Sequence, residues 1–138
     1  MSKKDGETRI MAFGTFDGLH KGHLDFFKQA KNFTKNSFLI VSIARDKNVI
    51  KIKGKYPYLK ERERLALVKK CKLVDEVVLA GLKNHIPHIV KMYPDIIALG
   101  YDQQAYVKNL KKDLKEKNIL VKIVRLKPIN KKFIKITC

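Results

Sequence analysis

The amino-acid sequence predicts an α/β fold, and three observations support this prediction. Short apolar runs rich in β-branched residues, which are typical of strands covered on both faces of a sheet, recur along the chain. Segments with apolar residues at three- and four-residue steps, the period of an amphipathic helix, separate these runs. With 138 residues the chain is long enough to bury one core but short for two. We therefore expect a single domain over residues 1–138, with a parallel, doubly wound, five-stranded sheet of the Rossmann-like class.

The first strand, the first helix and the second strand are predicted in the N-terminal third. A polar lead over residues 1–8, expected to be flexible, precedes a strand at about Arg9–Phe13. This strand ends in the Gly-rich stretch GTFDGLHKGH, residues 14–23. An amphipathic helix follows from His23 or just before it. Its apolar stripe consists of Leu24, Phe26, Phe27, Ala30 and Phe33. The continuous apolar run Ser37–Ala44 predicts a second, buried strand.

The middle of the chain is less regular. The basic stretch Arg45–Tyr58 contains Gly54 and Pro57 and has no sustained period, so we predict an exposed loop. Helical spacing then returns in a segment with a new apolar stripe. Its positions are Leu59, Leu65, Val68 and Cys71. A third strand is predicted near Glu76–Leu79, and Cys71 is expected in the core because it lies on the stripe.

The C-terminal half repeats the alternation of helix and strand. A short helix is predicted to begin near Pro87, and a fourth strand at Asp95–Gly100. A lysine-rich helix then runs to about Lys117. Its stripe consists of Val107, Leu110 and Leu114. The fifth strand is predicted within NILVKIVRL, residues 118–126, and the basic tail at 127–138 has no assigned structure.

Composition and charge exclude several classes of protein. Lys and Arg number 31 against 13 Asp and Glu, and the net charge of +18 attracts anions without selecting one among them. No apolar run reaches the length of a membrane span, and the N-terminus lacks the hydrophobic segment of a signal peptide. We therefore expect a cytoplasmic protein without a membrane partner. Cys71 and Cys138 lie in no CxxC or Cys/His pattern, so we expect reduced thiols rather than a zinc site or disulfide framework.

The stretch GTFDGLHKGH does not fit the common nucleotide-binding signatures. Gly18 is followed by Leu-His-Lys-Gly, not by the residues of a P-loop, and the spacing of its three glycines excludes the GxGxxG fingerprint. A zinc site is also disfavoured, because His20 and His23 have only Asp17 nearby as a further ligand. A different use of these residues is required.

The residue types in this stretch favour an anion site. His20 and His23 flank a glycine at the predicted first turn of a helix, so two imidazoles and backbone N–H groups can face one small region. Gly22 lacks a side chain that would block a phosphate, while Gly14 and Gly18 permit a tight strand-to-helix turn. In the structural alternative, the histidines only cap the helix.

The same residues resemble the HxGH signature of the cytidylyltransferase-like nucleotidyltransferases. Members of that family also carry a basic loop, an Arg-bearing helix and a Gly-x-Asp after the fourth strand, and this chain offers IKIKGK, ERERLALV and ALGYDQ in that order. The resemblance covers about Ile10–Leu126. The Phe-Asp-Gly and Gly-Tyr-Asp-Gln segments are most similar to those of the small archaeal-type FAD synthases. Glycerol-3-phosphate cytidylyltransferases are also similar, although their motif usually lacks a glycine after the Asp.

The resemblance implies transfer of AMP from ATP to FMN with release of pyrophosphate, or the corresponding reaction of CTP with a small phosphorylated alcohol. A phosphate monoester has a second pKa near ~6 and is mostly dianionic at neutral pH, so the acceptor needs no general base. Magnesium or another divalent cation is implied to bridge the phosphates. Relatives are often dimers, so a homodimer is implied as well.

Roles for individual residues follow from the same resemblance. His20 and His23 are expected at the α- and β-phosphates. Lys51, Lys53 and Arg64 are expected at the phosphates and the departing pyrophosphate. The remaining residues expected to bind the nucleotide are Gly14, Thr15, Phe16, Lys21, Gly22, Asp102 and Arg125.

Several alternatives stay open at the level of single residues. Asp17 is expected to ligate the metal, directly or through water, or to stabilise a turn by a hydrogen bond to nearby backbone. Asp102 contacts the ribose or base by resemblance, or caps the helix that follows. Arg64 has Glu61 as an alternative partner, and the lysines of the basic loop can simply be solvated. In place of the relatives' Ser/Thr-rich closing segment, the tail offers only Thr137.

The net charge also allows a non-enzymatic alternative, a module that binds nucleic acid. The basic residues are dispersed along the chain rather than gathered in one segment. Nucleic acid is therefore the less favoured partner, and ATP (or CTP) and FMN are the expected ones.

Overall fold

The structure, a computed structural model, describes residues 6–103 and 109–128. Over these residues the chain forms five strands and five helices. The strands are β1 (Thr8–Gly14), β2 (Ser37–Ile43), β3 (Glu76–Leu79), β4 (Ile96–Leu99) and β5 (Lys122–Arg125). The helices are α1 (Lys21–Lys31), α2 (Asp46–Lys53), α3 (Glu61–Lys69), α4 (His85–Met92) and α5 (Leu110–Glu116).

The strands form a parallel sheet in the order β3-β2-β1-β4-β5, which confirms the predicted Rossmann-like α/β class. Strand β1 lies at the centre of the sheet, and its side chains alternate between the two faces. Ile10 and Ala12 pack with residues of α1 and α3. Met11 and Phe13 pack with residues of α4 and α5 on the other face. The sheet therefore has a buried core on each side.

The order of the strands reverses at β1. Strands β2 and β3 extend the sheet to one side of β1, and strands β4 and β5 extend it to the other. In sheets of this kind ligands bind at the carboxyl ends of the strands, at the point of reversal. The stretch GTFDGLHKGH connects the end of β1 to α1 and therefore lies at this point.

The prediction of an exposed loop over Arg45–Tyr58 is wrong for its first half, where α2 forms. Val49 buries one face of this helix, Asp46 lies in its first turn and lysines lie in its last turn, as the helix dipole favours. Gly54 ends the helix with a φ of +77°, in the left-handed region. The glycine that indicated a loop is thus a helix C-cap.

The other elements differ from the predictions mainly at their ends. Helix α1 begins at Lys21, slightly earlier than predicted, because the His20 side chain caps it. Helix α4 begins at His85 rather than near Pro87, because the Asn84 side chain accepts a hydrogen bond in its first turn. Strand β3 has the predicted bounds, and β5 covers only part of the predicted fifth strand.

Cys71 lies in the core, as its position on the apolar stripe predicts. Cys71 is not a free thiol in the structure, so the expectation of reduced thiols is wrong for this residue. Thr8, placed in the polar lead by the sequence, is the first residue of β1. Residues 1–5, Val107 and the tail from 129 to 138 lie outside the described residues. In the part of the chain that is described, no helix is both long and apolar enough to cross a bilayer.

Candidate active site

The turn after β1 is shaped by the buried ring of Phe16. This residue has a φ of +53°, a left-handed conformation that is strained for a residue with a side chain. Packing holds it in place, with ring centroids 5.1 Å from Phe27 and 5.2 Å from His23. A Cβ atom on Gly14 would lie 2.5 Å from the Phe16 ring. Gly14 therefore makes room for this ring, a reason for the glycine that the sequence did not reveal.

The two histidines of the HxGH signature cap α1 and each other. His20 Nδ1 accepts hydrogen bonds from the backbone N–H of Gly22 at 3.0 Å and of His23 at 3.4 Å. His23 Nδ1 accepts one from the backbone N–H of His20 at 3.3 Å. The arrangement is a reciprocal capping box. A Cβ atom on Gly22 would lie 2.8 Å from the His20 ring, so this glycine makes room for a ring and not only for phosphate.

Capping fixes the tautomer of both rings and so makes each a donor. A neutral imidazole has one N–H and one acceptor nitrogen, and in both rings the acceptor is Nδ1. The proton therefore lies on Nε2 of His20 and of His23. The rings are stacked, with centroids 3.7 Å apart and planes 20° apart. Two such donors at a helix N-terminus suit the oxygens of a phosphate chain.

His23 is held in its neutral form. Burial is the main cause that lowers its pKa to about 4, and the neighbouring His20 adds to the effect. The positive charge of Lys53 lowers the pKa further, whereas the backbone of Gly18 and the carboxylate of Asp102 oppose the shift. At neutral pH the ring consequently has an N–H to donate without carrying a charge. Lys53 and Asp102 therefore both lie within electrostatic range of His23.

The lysines of IKIKGK lie in the last turn of α2. Lys51 and Lys53 are both exposed there, and Lys53 acts electrostatically on Asp17 as well as on His23. Lys21, the first residue of α1, is exposed too. Of the two lysines in this last turn, Lys53 is therefore the one that the structure associates with the signature residues.

Asp17 binds backbone from the segment before α3. Its carboxylate oxygens accept hydrogen bonds from the backbone N–H of Tyr58 and of Leu59, both at 2.6 Å. Burial acts to raise its pKa, but these hydrogen bonds and the charges of Arg64 and Lys53 outweigh it, so the pKa is lowered. Asp17 thus holds backbone that is distant in sequence, whereas the alternative to metal binding expected a hydrogen bond to nearby backbone.

Arg64 is a structural residue rather than an open phosphate ligand. Its side chain is fully buried. Its Nη1 donates to the carbonyl oxygen of Thr15 at 2.8 Å, and its Nε donates to that of Leu59 at 3.0 Å. Its Nη2 forms an ion pair with Asp46 Oδ1 at 2.6 Å. The expectation that Arg64 faces the phosphates does not agree with this placement, and its acidic partner is Asp46 and not Glu61.

Helices α2 and α3 cap each other through two carboxylates. Asp46 Oδ2 accepts the backbone N–H of Glu61 at 3.2 Å, and Glu61 Oε1 accepts that of Asp46 at 2.9 Å. Glu61 also forms an ion pair with Arg45, at 3.1 Å. Each helix N-terminus receives the negative charge that its dipole favours. Together with Arg64, these bonds tie the lysine-bearing helix to the turn after β1.

On the other side of β1, two side chains secure the turn that follows β4. Arg125 donates to the carbonyl oxygens of Gly100 at 2.8 Å and of Gln103 at 3.0 Å. Gln103 accepts the N–H of Gly100 and donates to the carbonyl oxygen of Phe13 at 3.0 Å. Arg125 thus orders the turn that carries Asp102. Asp102 is exposed and does not cap α5, whose N-cap is the residue before Leu110.

Asp46 and Gln103, which help to hold this site together, were not predicted from the sequence. Asp46 was hidden because its segment was interpreted as a loop, although an acidic residue before an apolar stripe is a helix-start signal. Gln103 stands directly beside Asp102 in GYDQ and received no role. Ser42 and His88 form a further pair, with Oγ and Nε2 2.8 Å apart on the α4 face of β2, and no sequence spacing indicates it.

Comparisons with known proteins agree with the HxGH signature. The family model described as cytidylyltransferase-like matches residues 11–136. The chain is 45% identical over 129 residues to an FAD synthase of Methanothermus fervidus, covering 93% of this chain and 88% of that protein. It is 44% identical over 119 residues to an FAD synthase of Korarchaeum cryptofilum, covering 86% and 80% of the two chains. A crystal structure of a lipopolysaccharide core biosynthesis protein from Thermoplasma volcanium superposes with a TM-score of 0.80 at 36% identity, covering 89% of this chain and 98% of that one.

Replacement of Arg64 by methionine is expected to destabilise the fold. Arg64→Met keeps the length of the side chain but leaves the Asp46 carboxylate and two carbonyl oxygens without their donor, at a cost of about 3 kcal/mol. The matched control is Arg62→Met, an exposed arginine of the same helix. Urea unfolding followed by circular dichroism measures both free energies of unfolding. Equal values for the two variants would contradict the structural role of Arg64.

His23 is expected to remain neutral through the physiological range. Its pKa of about 4 lies below the 6.5 of an unperturbed histidine, so the unfolded chain takes up the proton first as the pH falls. Acidification from about pH 6.5 towards pH 4 should therefore lower the free energy of unfolding through this residue. Imidazole ¹⁵N shifts in NMR spectra of the native protein report the titration directly, and a midpoint near 6.5 would exclude the proposed environment.

Proposed function

The chain belongs to the cytidylyltransferase-like family, and on this basis we propose that it acts as an FAD synthase, transferring AMP from ATP to FMN with release of pyrophosphate. The observation that carries the proposal is the pair of stacked imidazoles at the N-terminus of α1. Both present Nε2–H donors at the point where the strand order reverses. A nucleotidyltransferase needs such donors where charge develops on the phosphates.

In the proposed reaction the acceptor brings its own nucleophile. The phosphate group of FMN is already dianionic at neutral pH. One of its oxygens attacks the α-phosphorus of ATP and forms the new P–O bond. The bond from the α-phosphorus to the bridging oxygen of the β-phosphate breaks, and that oxygen leaves with the pyrophosphate. No proton must be removed from the attacking oxygen, so the site requires no general base. Its work is to align two anions and to stabilise the charge that moves between them.

We assign the donors of the site to the phosphates. His20 and His23 donate from Nε2 to the α- and β-phosphates, with the dipole of α1 behind them. Lys53 and Lys51 at the end of α2 stabilise the departing pyrophosphate. Arg64 belongs to the positioning of these groups, since it is fully buried and each of its three nitrogens donates to a protein acceptor.

The nucleoside is proposed to bind at the turn that follows β4. Asp102 there is exposed, and Arg125 and Gln103 hold the turn in position. Thr15 and Lys21 flank the path of the phosphates from this turn to the histidines. The remaining predicted contacts contribute through shape: Gly14, Phe16 and Gly22 set the space around the two rings.

Magnesium is proposed to enter with the nucleotide. The described residues include no group of three or more His, Cys, Asp or Glu suited to holding a metal, and both Asp17 oxygens accept backbone hydrogen bonds. These side chains do not form a ligand set of their own, so we assign no step to a protein-held ion. A divalent cation bound to the phosphate oxygens of ATP is part of the substrate.

The proposal also includes a cytoplasmic location, as expected from the sequence, and a homodimer, which only the family resemblance implies. Light scattering on the purified chain measures the oligomeric state.

Two alternative functions are open to test. The alternative reaction, with CTP and glycerol 3-phosphate as substrates, is measured in the same assay as the reaction of ATP with FMN. Binding to nucleic acid, the non-enzymatic alternative, would fall steeply with salt concentration.

Incubation with ATP, FMN and magnesium under reducing conditions is expected to yield FAD and pyrophosphate, measured by chromatography. His20→Asn should lower kcat about 100-fold, because asparagine preserves the N-cap but not the Nε2–H donor. His23→Asn should lower kcat similarly, and Lys69→Ala, an exposed change at the end of α3, serves as the control. Formation of a cytidylyl product from CTP, with no FAD from ATP, would replace the proposed substrates by the alternative pair.

The two lysines in the last turn of α2 are expected to contribute unequally. Lys53→Ala should lower kcat/KM for ATP roughly 10- to 100-fold, because this ammonium group acts on both His23 and Asp17. Lys51→Ala should have the smaller effect of the two. Steady-state kinetics with varied ATP distinguishes them, and a larger loss for Lys51→Ala would show that the pyrophosphate leaves along a different path.

A further inference from the structure

Exposed aromatic side chains are found on two sides of the proposed phosphate site. Tyr58 is 93% exposed and Tyr56 is 69% exposed, both in the segment between α2 and α3. Tyr101 is 56% exposed, directly after β4 and beside Asp102. Large exposed apolar side chains on a protein of this size are worth explaining where they border a ligand site lined by a few polar groups.

The position of Tyr58 is determined although its ring is exposed. Its backbone N–H is held by Asp17, and the next N–H along the chain is held by the same carboxylate. The following carbonyl, that of Leu59, accepts from buried Arg64. Two side chains, one from the HxGH turn and one from α3, thus fix the backbone from which the Tyr58 ring projects. A ring on a fixed backbone loses little conformational freedom when a ligand stacks on it.

The two aromatic sides lie on opposite halves of the sheet. Tyr101 follows β4, whereas the segment with Tyr56 and Tyr58 follows β2 and α2, and β1 runs between β2 and β4. The side at β4 carries Asp102, to which the nucleoside is already assigned. The segment with Tyr56 and Tyr58 also carries exposed Lys55, a lysine not assigned to the pyrophosphate, which matches the dianionic phosphate of the acceptor. The acceptor in the proposed reaction also ends in a broad, flat ring system.

Resting on the proposed function, we propose that Tyr58, assisted by Tyr56, is the surface on which the isoalloxazine ring of FMN stacks. The ribityl chain then extends from this ring towards the phosphate-binding residues at the start of α1. Asp17 acts as a positioning residue, because it fixes the Tyr58 backbone to the same turn that carries His20. The hydrogen bonds of Asp17 therefore determine how far the isoalloxazine ring lies from the phosphate-binding residues. Asp17 takes part in acceptor recognition in this way without touching the substrate.

The test is steady-state kinetics of Tyr58→Ala with each substrate varied in turn. Stacking of an aromatic ring is worth enough to raise KM for FMN roughly 5- to 100-fold when the platform is removed. KM for ATP should be unchanged. Tyr58→Phe, which keeps the ring, should retain the wild-type KM for FMN. Leu120→Ala is the control, since Leu120 is 96% exposed and precedes β5, at the amino ends of the parallel strands, whereas the site lies at their carboxyl ends.

A second measurement does not depend on turnover. FMN alone is titrated with the protein, and flavin fluorescence is followed, because it is quenched when the isoalloxazine stacks on a tyrosine. The wild-type chain should quench FMN at concentrations where Tyr58→Ala does not. Quenching that depends on Tyr58, without any FAD formed from ATP and FMN, would reject the proposed function and keep the flavin site.

Other outcomes overturn the flavin site itself. If the wild-type chain forms FAD and Tyr58→Ala leaves KM for FMN unchanged, the function stands and the stacking surface is rejected. If Tyr58→Ala instead raises KM for ATP, the ring belongs to the adenine side. The ring is exposed, so its removal is not expected to unfold the chain, and circular dichroism of each variant checks this.

Discussion

The site depends on one buried cation. A guanidinium group without solvent is tolerated only when acceptors surround it, and those of Arg64 come from three different segments: the turn after β1, the segment before α3 and the start of α2. Satisfying this single charge brings the HxGH turn and the lysine-bearing helix into contact. The carboxylates of Asp46 and Glu61, each capping the other's helix, complete the connection. The need to pair the buried guanidinium of Arg64 thus determines how the HxGH turn and the lysines of α2 are placed at the surface.

Capping and the proposed phosphate contacts, which a sequence presents as alternatives, use different atoms of the histidine pair. Capping uses Nδ1 and backbone amides, whereas the proposed phosphate contacts use Nε2, so one role does not exclude the other. Capping is also what directs the Nε2 protons, because it fixes the tautomers. A half-buried, neutral His23 contributes a donor without adding positive charge to a site already surrounded by lysines. Stability of the first turn of α1 and readiness to bind an anion are consequences of one set of hydrogen bonds.

The sequence was sufficient for the sheet and for the HxGH turn, because both are expressed locally. Continuous apolar runs identify buried parallel strands, and the spacing of α1 identifies the helix that follows the turn. Helix α2 was missed because it is short, and its evidence lies in caps more than in periodicity. The burial of Arg64, its pairing with Asp46 and the packing reason for Gly14 depend on segments distant in sequence. Residue types and their order along the chain do not predict which polar groups from distant segments pair in the interior.

The contact between Gly14 and Phe16 has an evolutionary consequence. A Cβ atom at position 14 would occupy the volume of the Phe16 ring. The residues allowed at positions 14 and 16 therefore depend on each other. A larger residue at the first position is tolerated only with a smaller one at the second, and the smaller one would withdraw support from the edge of His23. Drift at either position is therefore constrained through packing alone. Among homologues, the residues at positions 14 and 16 should change together or not at all.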